Sequence, residues 1–313
     1  MERTRKGRRA KLFLRMKNTT HNRAGTRLIC ALASVWLSIA LPANTPAQNL
    51  FYSIDGNANI IAEMTPGGRQ STFASGLGDP EGLAFNSAGD LFEADGFSGN
   101  IYEYTPGGVQ TTFASGVYLP EGLAFNSAGN LFVVSVADRA VYQYTPGGVR
   151  STFATGLPAT PVGLAFDSVG DLFVCSVSGT ITKITPGGAQ STFASGLSAP
   201  TALAFNGAGD LFVANNGNSS ITEITSGGLQ FPFAFPMYVS QPNALAFDAA
   251  GDLFMGSNYP VAGLTEITPD GTRISYPASV YGAVSALAFQ PVPEPSTLGL
   301  LSVALAALLI RRR

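Results

Sequence analysis

The segment that decides the fold is "LPEGLAFNSAGNLFVVSVADRAVYQYTPGG", residues 119–148. Its triplet "LAF" occurs six times at a spacing of 39 to 42 residues, beginning at Leu83, Leu123, Leu164, Leu203, Leu245 and Leu287. A fixed period of this length is typical of repeat folds, in which every copy forms the same supersecondary unit. The sequence therefore predicts six copies of one unit.

Each copy contains four segments with the character of β-strands. The "GLAF" and "DLFV" runs are continuously apolar, as in strands covered on both faces, whereas "NIYEYT" and "SITEIT" alternate polar and apolar residues. The "TPGG" segment is typical of a tight turn, and a short "STFA" strand follows it. The 36 glycines and 20 prolines also favour short strands joined by turns. Four antiparallel strands in about forty residues are typical of a propeller blade.

The two partial copies at the ends of the repeat region predict how the ring closes. The first copy begins at "NLFYSIDG" without its "LAF" strand, and the last ends at "SALAFQP". Joining one C-terminal strand to three N-terminal strands completes a sixth blade and removes open sheet edges. An open solenoid would leave these fragments unpaired. We therefore predict an all-β, six-bladed β-propeller over residues 48–291, closed by an N-/C-terminal clasp.

Charge and composition exclude several functions. Residues 28–292 contain five Lys or Arg against eighteen Asp or Glu, so this region repels phosphate backbones and nucleic-acid binding is not expected. The single histidine, His21, precedes the repeats, which excludes Ser-His-Asp chemistry and His-type zinc sites. Cys175 is the one cysteine of the repeat region, and its apolar strand indicates a buried structural residue.

The N-terminal 47 residues have the layout of a secretory signal peptide. Ten basic residues precede an apolar run from Leu28, and small residues, Thr45 and Ala47, occupy the −3 and −1 positions of a peptidase site. We expect signal peptidase to cleave after Ala47. The basic region is long, so translation starts at either Met1 or Met16.

Residues 292–313 resemble the PEP-CTERM sorting signal of Gram-negative bacteria. The motif Pro293, Glu294 and Pro295 is followed by an apolar stretch over residues 298–310 and then by Arg311, Arg312 and Arg313. The resemblance implies processing by an exosortase; the alternative is an ordinary tail anchor, although this apolar stretch is short for a full span. In both cases the arginines stay cytoplasmic and the propeller faces outward. We expect a cell-envelope, surface or extracellular-matrix protein that the C-terminal segment anchors transiently in the inner membrane.

The repeats resemble NHL repeats, and the resemblance extends over nearly all of residues 49–291. In propellers of this kind the "LAF" strand is innermost, so the residue two positions before each leucine should face the central channel. These residues are Glu81, Glu121, Val162, Thr201, Asn243 and Ser285.

A further resemblance concerns the channel. "PEGLAF" at Glu81 and "PNALAF" at Asn243 are similar to local motifs of the gluconolactonase and senescence-marker family, whose channels hold a divalent cation. The resemblance implies an oxygen-ligand site for Ca²⁺ or Mg²⁺. That family's catalytic aspartate has no clear counterpart here, although Asp95 and Asp138 are candidates for the loop rim. We assign no catalytic residue.

Two functional hypotheses follow. The first is a monomeric, non-catalytic propeller that binds a protein or a polysaccharide, which the near-identity of the blades favours. The second is a divalent-metal-dependent hydrolase or lyase that resembles gluconolactonase-type propellers and acts in the channel. Fold alone does not separate them.

Overall fold

The computed structural model describes residues 48–56, 58–234, 241–258, 263–277 and 282–292. Within these ranges no helix is long and apolar enough to cross a membrane. The predicted cleavage site at Ala47 and the sorting motif from Pro293 onward lie outside them, so the signal peptide and the C-terminal anchor remain predictions.

The described residues form 24 strands. Three come first: β1 (Leu50–Ile54), β2 (Ile60–Met64) and β3 (Gln70–Ser75). The next two sets of four are β4 (Pro80–Phe85), β5 (Leu91–Asp95), β6 (Asn100–Tyr104), β7 (Gln110–Ala114), β8 (Pro120–Phe125), β9 (Leu131–Ser135), β10 (Ala140–Tyr144) and β11 (Arg150–Ala154). Two further sets are β12 (Pro161–Phe166), β13 (Leu172–Ser176), β14 (Thr180–Ile184), β15 (Gln190–Ser195), β16 (Pro200–Phe205), β17 (Leu211–Asn215), β18 (Ser220–Ile224) and β19 (Gln230–Ala234). The last strands are β20 (Pro242–Phe247), β21 (Leu253–Ser257), β22 (Gly263–Ile267), β23 (Arg273–Pro277) and β24 (Val284–Phe289), and a short 3-10 helix spans Asn216–Asn218.

These strands form six antiparallel sheets of four, which confirms the prediction of an all-β, six-bladed propeller. We number the blades from the N-terminus, so blade 1 is the sheet β24–β1–β2–β3 and blade 6 is β20–β23. In blade 1 Leu50 pairs with Phe289 and Tyr52 with Leu287, so the last strand of the chain lies innermost. The inner strands β24, β4, β8, β12, β16 and β20 contact one another in a closed ring.

A repeated group of phenylalanines joins neighbouring blades. In blade 2 the ring of Phe92 on β5 packs edge-on against Phe113 of the same blade and Phe125 of the next, each with centroids 5.0 Å apart. Edge-to-face pairs of this kind contribute about 1 kcal/mol beyond their buried area. The same arrangement recurs at Phe51, Phe132, Phe173 and Phe212. The motifs "DLF", "STFA" and "LAF" are therefore the parts of one inter-blade contact.

Blade 6 departs from this pattern in its outermost strand. In the other five blades the pairing register of the outer strand shifts at its phenylalanine. In blade 2, for example, Ile101 pairs with Ala114 and Tyr102 with Thr112, so that Phe113 has no pairing partner. The pair β22–β23 has no shift, and Tyr276 lies opposite Leu264. The Tyr276 hydroxyl donates to a Glu266 carboxylate oxygen at 2.7 Å. Blade 6 thus lacks the bulge, and Tyr276 occupies the position of the outer phenylalanine.

The repeated turns have the predicted local chemistry. In the first "NSAGD" loop the Asn86 side-chain oxygen accepts hydrogen bonds from the amides of Ala88 and Asp90, at 3.0 and 2.9 Å. In "TPGG" the Gly108 amide donates to the Thr105 carbonyl at 2.8 Å, and Gly108 has a φ of 80° that favours glycine. Turn formation accounts for these residues.

Candidate functional site

One cavity of about 360 Å³ lies at the centre of the ring. The six residues that precede the "LAF" leucines by two positions all line it: Glu81, Glu121, Val162, Thr201, Asn243 and Ser285. Each is the second residue of an inner strand, and alternation along the strand gives all six the same orientation. The structure therefore brings together residues that lie about forty positions apart in sequence.

The order of the blades places the acidic residues on one side. Glu81 and Glu121 lie on the adjacent strands β4 and β8, whereas Thr201 and Asn243 lie on β16 and β20 across the ring. Val162 separates the two groups on one side. The cavity thus has an acidic wall and a neutral polar wall.

Glycines hold the strands of the acidic wall close together. A Cβ atom at Gly82 would lie 2.0 Å from the Glu121 carbonyl oxygen, and one at Gly122 would lie 2.5 Å from that of Val162. Real Cβ atoms do not approach other atoms so closely, so only glycine allows this backbone separation. These glycines determine how close the two glutamates can come.

Two aspartates lie close to Glu81 of the acidic wall, and of these Asp55 also lines the cavity. Asp55 follows β1 of blade 1, and Asp79 directly precedes β4 of blade 2. Carboxylate oxygens of Asp55, Asp79 and Glu81 all lie within 4.8 Å of one another. We call these three residues, together with Glu121, the carboxylate cluster. Neither aspartate was predicted from the sequence; the signal for Asp79 is that other copies have Leu, Thr, Ala or Gln before the same proline.

The cluster has no cationic partner among the described residues, and the pKa values of its carboxyl groups shift accordingly. Burial, followed by the charges of Glu121, Asp79 and Asp55, raises the pKa of Glu81 to about 8. Burial and the charge of Asp79 raise the pKa of Glu121 to about 7. The pKa of Asp79 is also raised, mainly by burial. Neither Lys nor Arg occurs among the described residues that line the cavity, so the negative charges repel one another without compensation.

Of the two hydroxyl groups on the neutral wall, one makes a hydrogen bond to the backbone and the other has no hydrogen-bond partner among the described residues. The Thr201 hydroxyl donates to the Pro242 carbonyl at 3.1 Å and thereby links β16 to β20. The Ser285 hydroxyl oxygen is buried and has no hydrogen-bond partner among the described residues. Thr201 therefore has a structural role, whereas Ser285 is available to a bound ligand.

The candidates for the loop rim lie outside the cavity. Asp95 is buried, and its carboxylate accepts hydrogen bonds from the amides of Gly78 and Ser98, both at 2.7 Å. Asp138 accepts from the hydroxyls of Ser135 and Tyr142, at 3.0 and 2.8 Å. Both aspartates stabilise their own loops.

A buried carboxyl group lies beside the cavity wall on β5. Glu93 is 0 % exposed and pairs with Leu83 of β4, and neither of its carboxylate oxygens has a hydrogen-bond partner in the described chain. Burial, with smaller contributions from Asp95 and Asp79, raises its pKa to about 9. The corresponding residue in blade 3 is Val133. Glu93 is therefore protonated at neutral pH. It occupies a position of the repeat at which the next blade has an apolar residue.

Solved structures with the same architecture share low sequence identity with this chain. A nidogen/laminin complex chain has a TM-score of 0.70 at 15 % identity, covering 79 % of this chain and 99 % of that chain. A calcium-binding regucalcin from Agrobacterium tumefaciens has a TM-score of 0.59 at 16 % identity, covering 69 % and 79 %. A gluconolactonase from Xanthomonas campestris has a TM-score of 0.58 at 16 % identity, covering 77 % and 87 %. At these identities the likeness shows the fold alone, and no curated protein matches the chain.

Two family profiles match the sequence. The PEP-CTERM protein-sorting motif matches residues 291–313, which confirms the sorting signal expected from Pro293 to Arg313. The profile of the SMP-30/gluconolactonase/LRE-like region matches residues 19–217, more than half of the chain. The chain therefore belongs to the SMP-30/gluconolactonase/LRE-like family and carries a PEP-CTERM sorting motif.

Proposed function

We propose that this protein is an exported, non-catalytic binding propeller whose central cavity holds a divalent cation, Ca²⁺ or Mg²⁺. The observation that carries this proposal is the carboxylate cluster itself, in which Asp55, Asp79 and Glu81 converge within 4.8 Å beside Glu121. Hard divalent cations prefer such all-oxygen sites.

The chemistry of the cavity fits a cation. The raised pKa values of Glu81 and Glu121 reflect unbalanced burial and repulsion, and a divalent cation would favour the ionised carboxylates and displace protons from them. Ca²⁺ takes six to eight oxygen ligands, so the cluster would leave coordination positions for Asn243, for water or for an external ligand. A buried, unpaired hydroxyl at Ser285 supports occupancy of the same cavity.

A second candidate function is a metal-dependent hydrolase or lyase. The observation that favours it is the buried Glu121, because a cation bound to the neighbouring carboxylates would keep Glu121 ionised at neutral pH and able to accept a proton. Family membership points the same way. The near-identity of the six copies favours the non-catalytic proposal, because enzymes diversify the loops around their sites.

The test measures metal content and thermal shift of the purified protein with Ca²⁺, Mg²⁺, Mn²⁺ and EDTA. We expect Ca²⁺ or Mg²⁺ to raise the melting temperature of the wild type, since a ligand that binds only the native state stabilises it. The double variant Glu81→Gln, Glu121→Gln should lose this shift, and Glu223→Gln, outside the cavity, should keep it. Absence of bound metal and of any shift in the wild type would exclude a cation site.

A separate assay distinguishes binding from catalysis. The cation-loaded wild type is tested against a panel of lactones beside the Glu121→Gln variant. Turnover that the variant abolishes would establish the hydrolase and overturn the non-catalytic proposal.

Export is part of the same proposal and has its own test. We propose that signal peptidase removes residues 1–47 and that an exosortase processes the segment 292–313, which leaves a monomeric propeller at the cell envelope or in the extracellular matrix. Intact-mass measurement of the exported protein should give an N-terminus at Gln48. Retention of residues before Gln48 would show that cleavage occurs elsewhere.

A further inference from the structure

An exposed apolar patch borders the carboxylate cluster. Phe97 is 85 % exposed, Tyr118 is 68 % exposed and Leu119 is 54 % exposed. Phe97 lies in the turn between β5 and β6, and the other two residues directly precede β8. We call these three residues the aromatic rim. Adjacent large exposed apolar side chains on a folded domain mark an interaction site more often than isolated ones do.

The residues of the aromatic rim differ from those at the equivalent positions of most other copies. At the position of Phe97 blades 3 and 5 have small residues, Ala137 and Gly217, whereas blade 6 has Tyr259. At the positions of Tyr118 and Leu119 other copies have small or polar residues, namely Ala159, Thr160, Ser198, Ala199 and Gln241. The fold therefore forms without large apolar side chains here, so folding does not explain the rim.

Backbone contacts place the rim beside the carboxylate cluster. The Gly96 amide donates to the Asp79 carbonyl at 2.8 Å, and a Cβ atom at Gly96 would lie 3.1 Å from a carboxylate oxygen of Asp79. At the other end of the same turn, the Val117 amide donates to the Gly99 carbonyl at 3.1 Å. Phe97 therefore lies between the carboxylate cluster and the segment that carries Tyr118 and Leu119.

The charge around the rim is strongly negative. The carboxylate cluster contributes four acidic side chains, and the described residues that line the cavity include no Lys or Arg. Without a cation the raised pKa values of Glu81 and Glu121 reduce the negative charge of the cluster but do not remove it. With a divalent cation all four carboxylates ionise and two of their charges are balanced, so this region is acidic in both states. A cationic partner is attracted, and an acidic partner is repelled.

We propose that the aromatic rim and the carboxylate cluster together form a docking surface for a basic, apolar segment of another protein. A Lys or Arg side chain would meet the carboxylates, and its apolar neighbours would cover Phe97, Tyr118 and Leu119. Arg can also stack on exposed aromatic rings. The inference goes beyond cation binding and does not depend on it, because the surface is complementary to a basic segment in both metal states.

The test uses short fluorescent peptides and the full-length protein, with binding followed by fluorescence anisotropy in EDTA and again in Ca²⁺. The probes are a Lys-Leu peptide, a Lys-Ser peptide, a Glu-Leu peptide and a Ser-Leu peptide. We expect the Lys-Leu peptide alone to bind well in both buffers. Rising salt should weaken its binding, because exposed charges are screened.

Matched variants locate the surface. Phe97→Ser and Tyr118→Ser should each weaken binding of the Lys-Leu peptide about tenfold, as expected when a central aromatic contact is lost. Val149→Ser removes an equally exposed apolar side chain, 67 % exposed, outside the rim and should leave binding unchanged. All three positions are at the surface, so melting temperatures should match the wild type.

Three results would overturn the proposal. Equal binding of the Lys-Ser peptide would mean that charge acts alone, and equal weakening by Val149→Ser would mean that the rim is not the contact. Binding of a neutral polysaccharide that Phe97→Ser abolishes, with no binding of Lys-Leu, would identify a carbohydrate surface instead. If the wild type shows no Ca²⁺ thermal shift but still binds the Lys-Leu peptide, the cation site is refuted and the docking surface is supported.

Discussion

The two halves of the inner ring differ in one residue of each inner strand. This residue follows the channel residue and directly precedes the leucine of "LAF". In β4, β8 and β12 it is glycine, at Gly82, Gly122 and Gly163, and a Cβ atom there would lie 2.0 to 2.6 Å from a carbonyl oxygen of the next strand. In β16, β20 and β24 it is alanine, at Ala202, Ala244 and Ala286. The glycine half also carries Glu81 and Glu121, whereas the alanine half carries neutral channel residues.

This difference places the glutamates on one side of the ring. Glycine permits close backbone approach between β4 and β8, the adjacent strands that carry the two glutamates. A nearly six-fold fold thus produces an asymmetric cavity. The following predictions each test a part of that comparison.

The largest effect is expected for Gly82→Ala. The added methyl group would meet the Glu121 carbonyl oxygen, so β4 and β8 must separate, and we expect a loss of about 3 kcal/mol in the free energy of unfolding. Chemical denaturation measures it. The control is Ala244→Gly in the alanine half, where the expected loss is about 1 kcal/mol. Equal losses in the two halves would show that the inner strands are equally spaced.

A smaller effect, of opposite sign, is expected for Glu93→Val, which restores the residue type of the other copies. Removing an unpaired buried carboxyl group should raise the free energy of unfolding by about 2 kcal/mol at neutral pH. The matched variant in the next blade, Val133→Glu, should lower it by a similar amount. A destabilised Glu93→Val protein would show that the carboxyl group has an essential partner.

The effect of Glu93→Val on the free energy of unfolding should depend on pH. Because the pKa of Glu93 is raised to about 9 in the folded protein from about 4.5 when unfolded, the contribution of Glu93 to the free energy of unfolding is most favourable below pH 4.5 and is lost as the pH rises towards 9. Glu93→Val removes this group, so its advantage should grow with pH. Thermal unfolding in EDTA between pH 5 and pH 9 measures both proteins. A constant difference between them would contradict the raised pKa.

The smallest effect is expected for Thr201→Val on the neutral wall. This change removes the hydrogen bond to the Pro242 carbonyl and should cost about 1 kcal/mol in the free energy of unfolding. The cation-dependent thermal shift should remain, since Thr201 is outside the carboxylate cluster. A lost shift with unchanged stability would make Thr201 a cation ligand.

Much of the site followed from the repeat. The "LAF" spacing places Glu81, Glu121, Thr201, Asn243 and Ser285 at equivalent positions of inner strands, and the closed ring turns equivalent positions into neighbours around one cavity. Sequence reasoning could not assign Asp55 to the cluster, because it follows β1 in a loop whose position depends on the sheet that joins the two chain ends. Asp79 could have been found as a departure from the other copies.

By itself the sequence determined the number of blades, the strands of each blade and the channel positions, because strand periodicity and turn chemistry are local and six copies repeat the same signal. Only the tertiary structure decided that Asp55, Asp79 and Glu81 converge, that Glu93 is buried without a hydrogen-bond partner among the described residues, and that the backbone at Gly82 leaves no room for a side chain. These features depend on distances between different copies, and burial and close packing arise only when the blades meet.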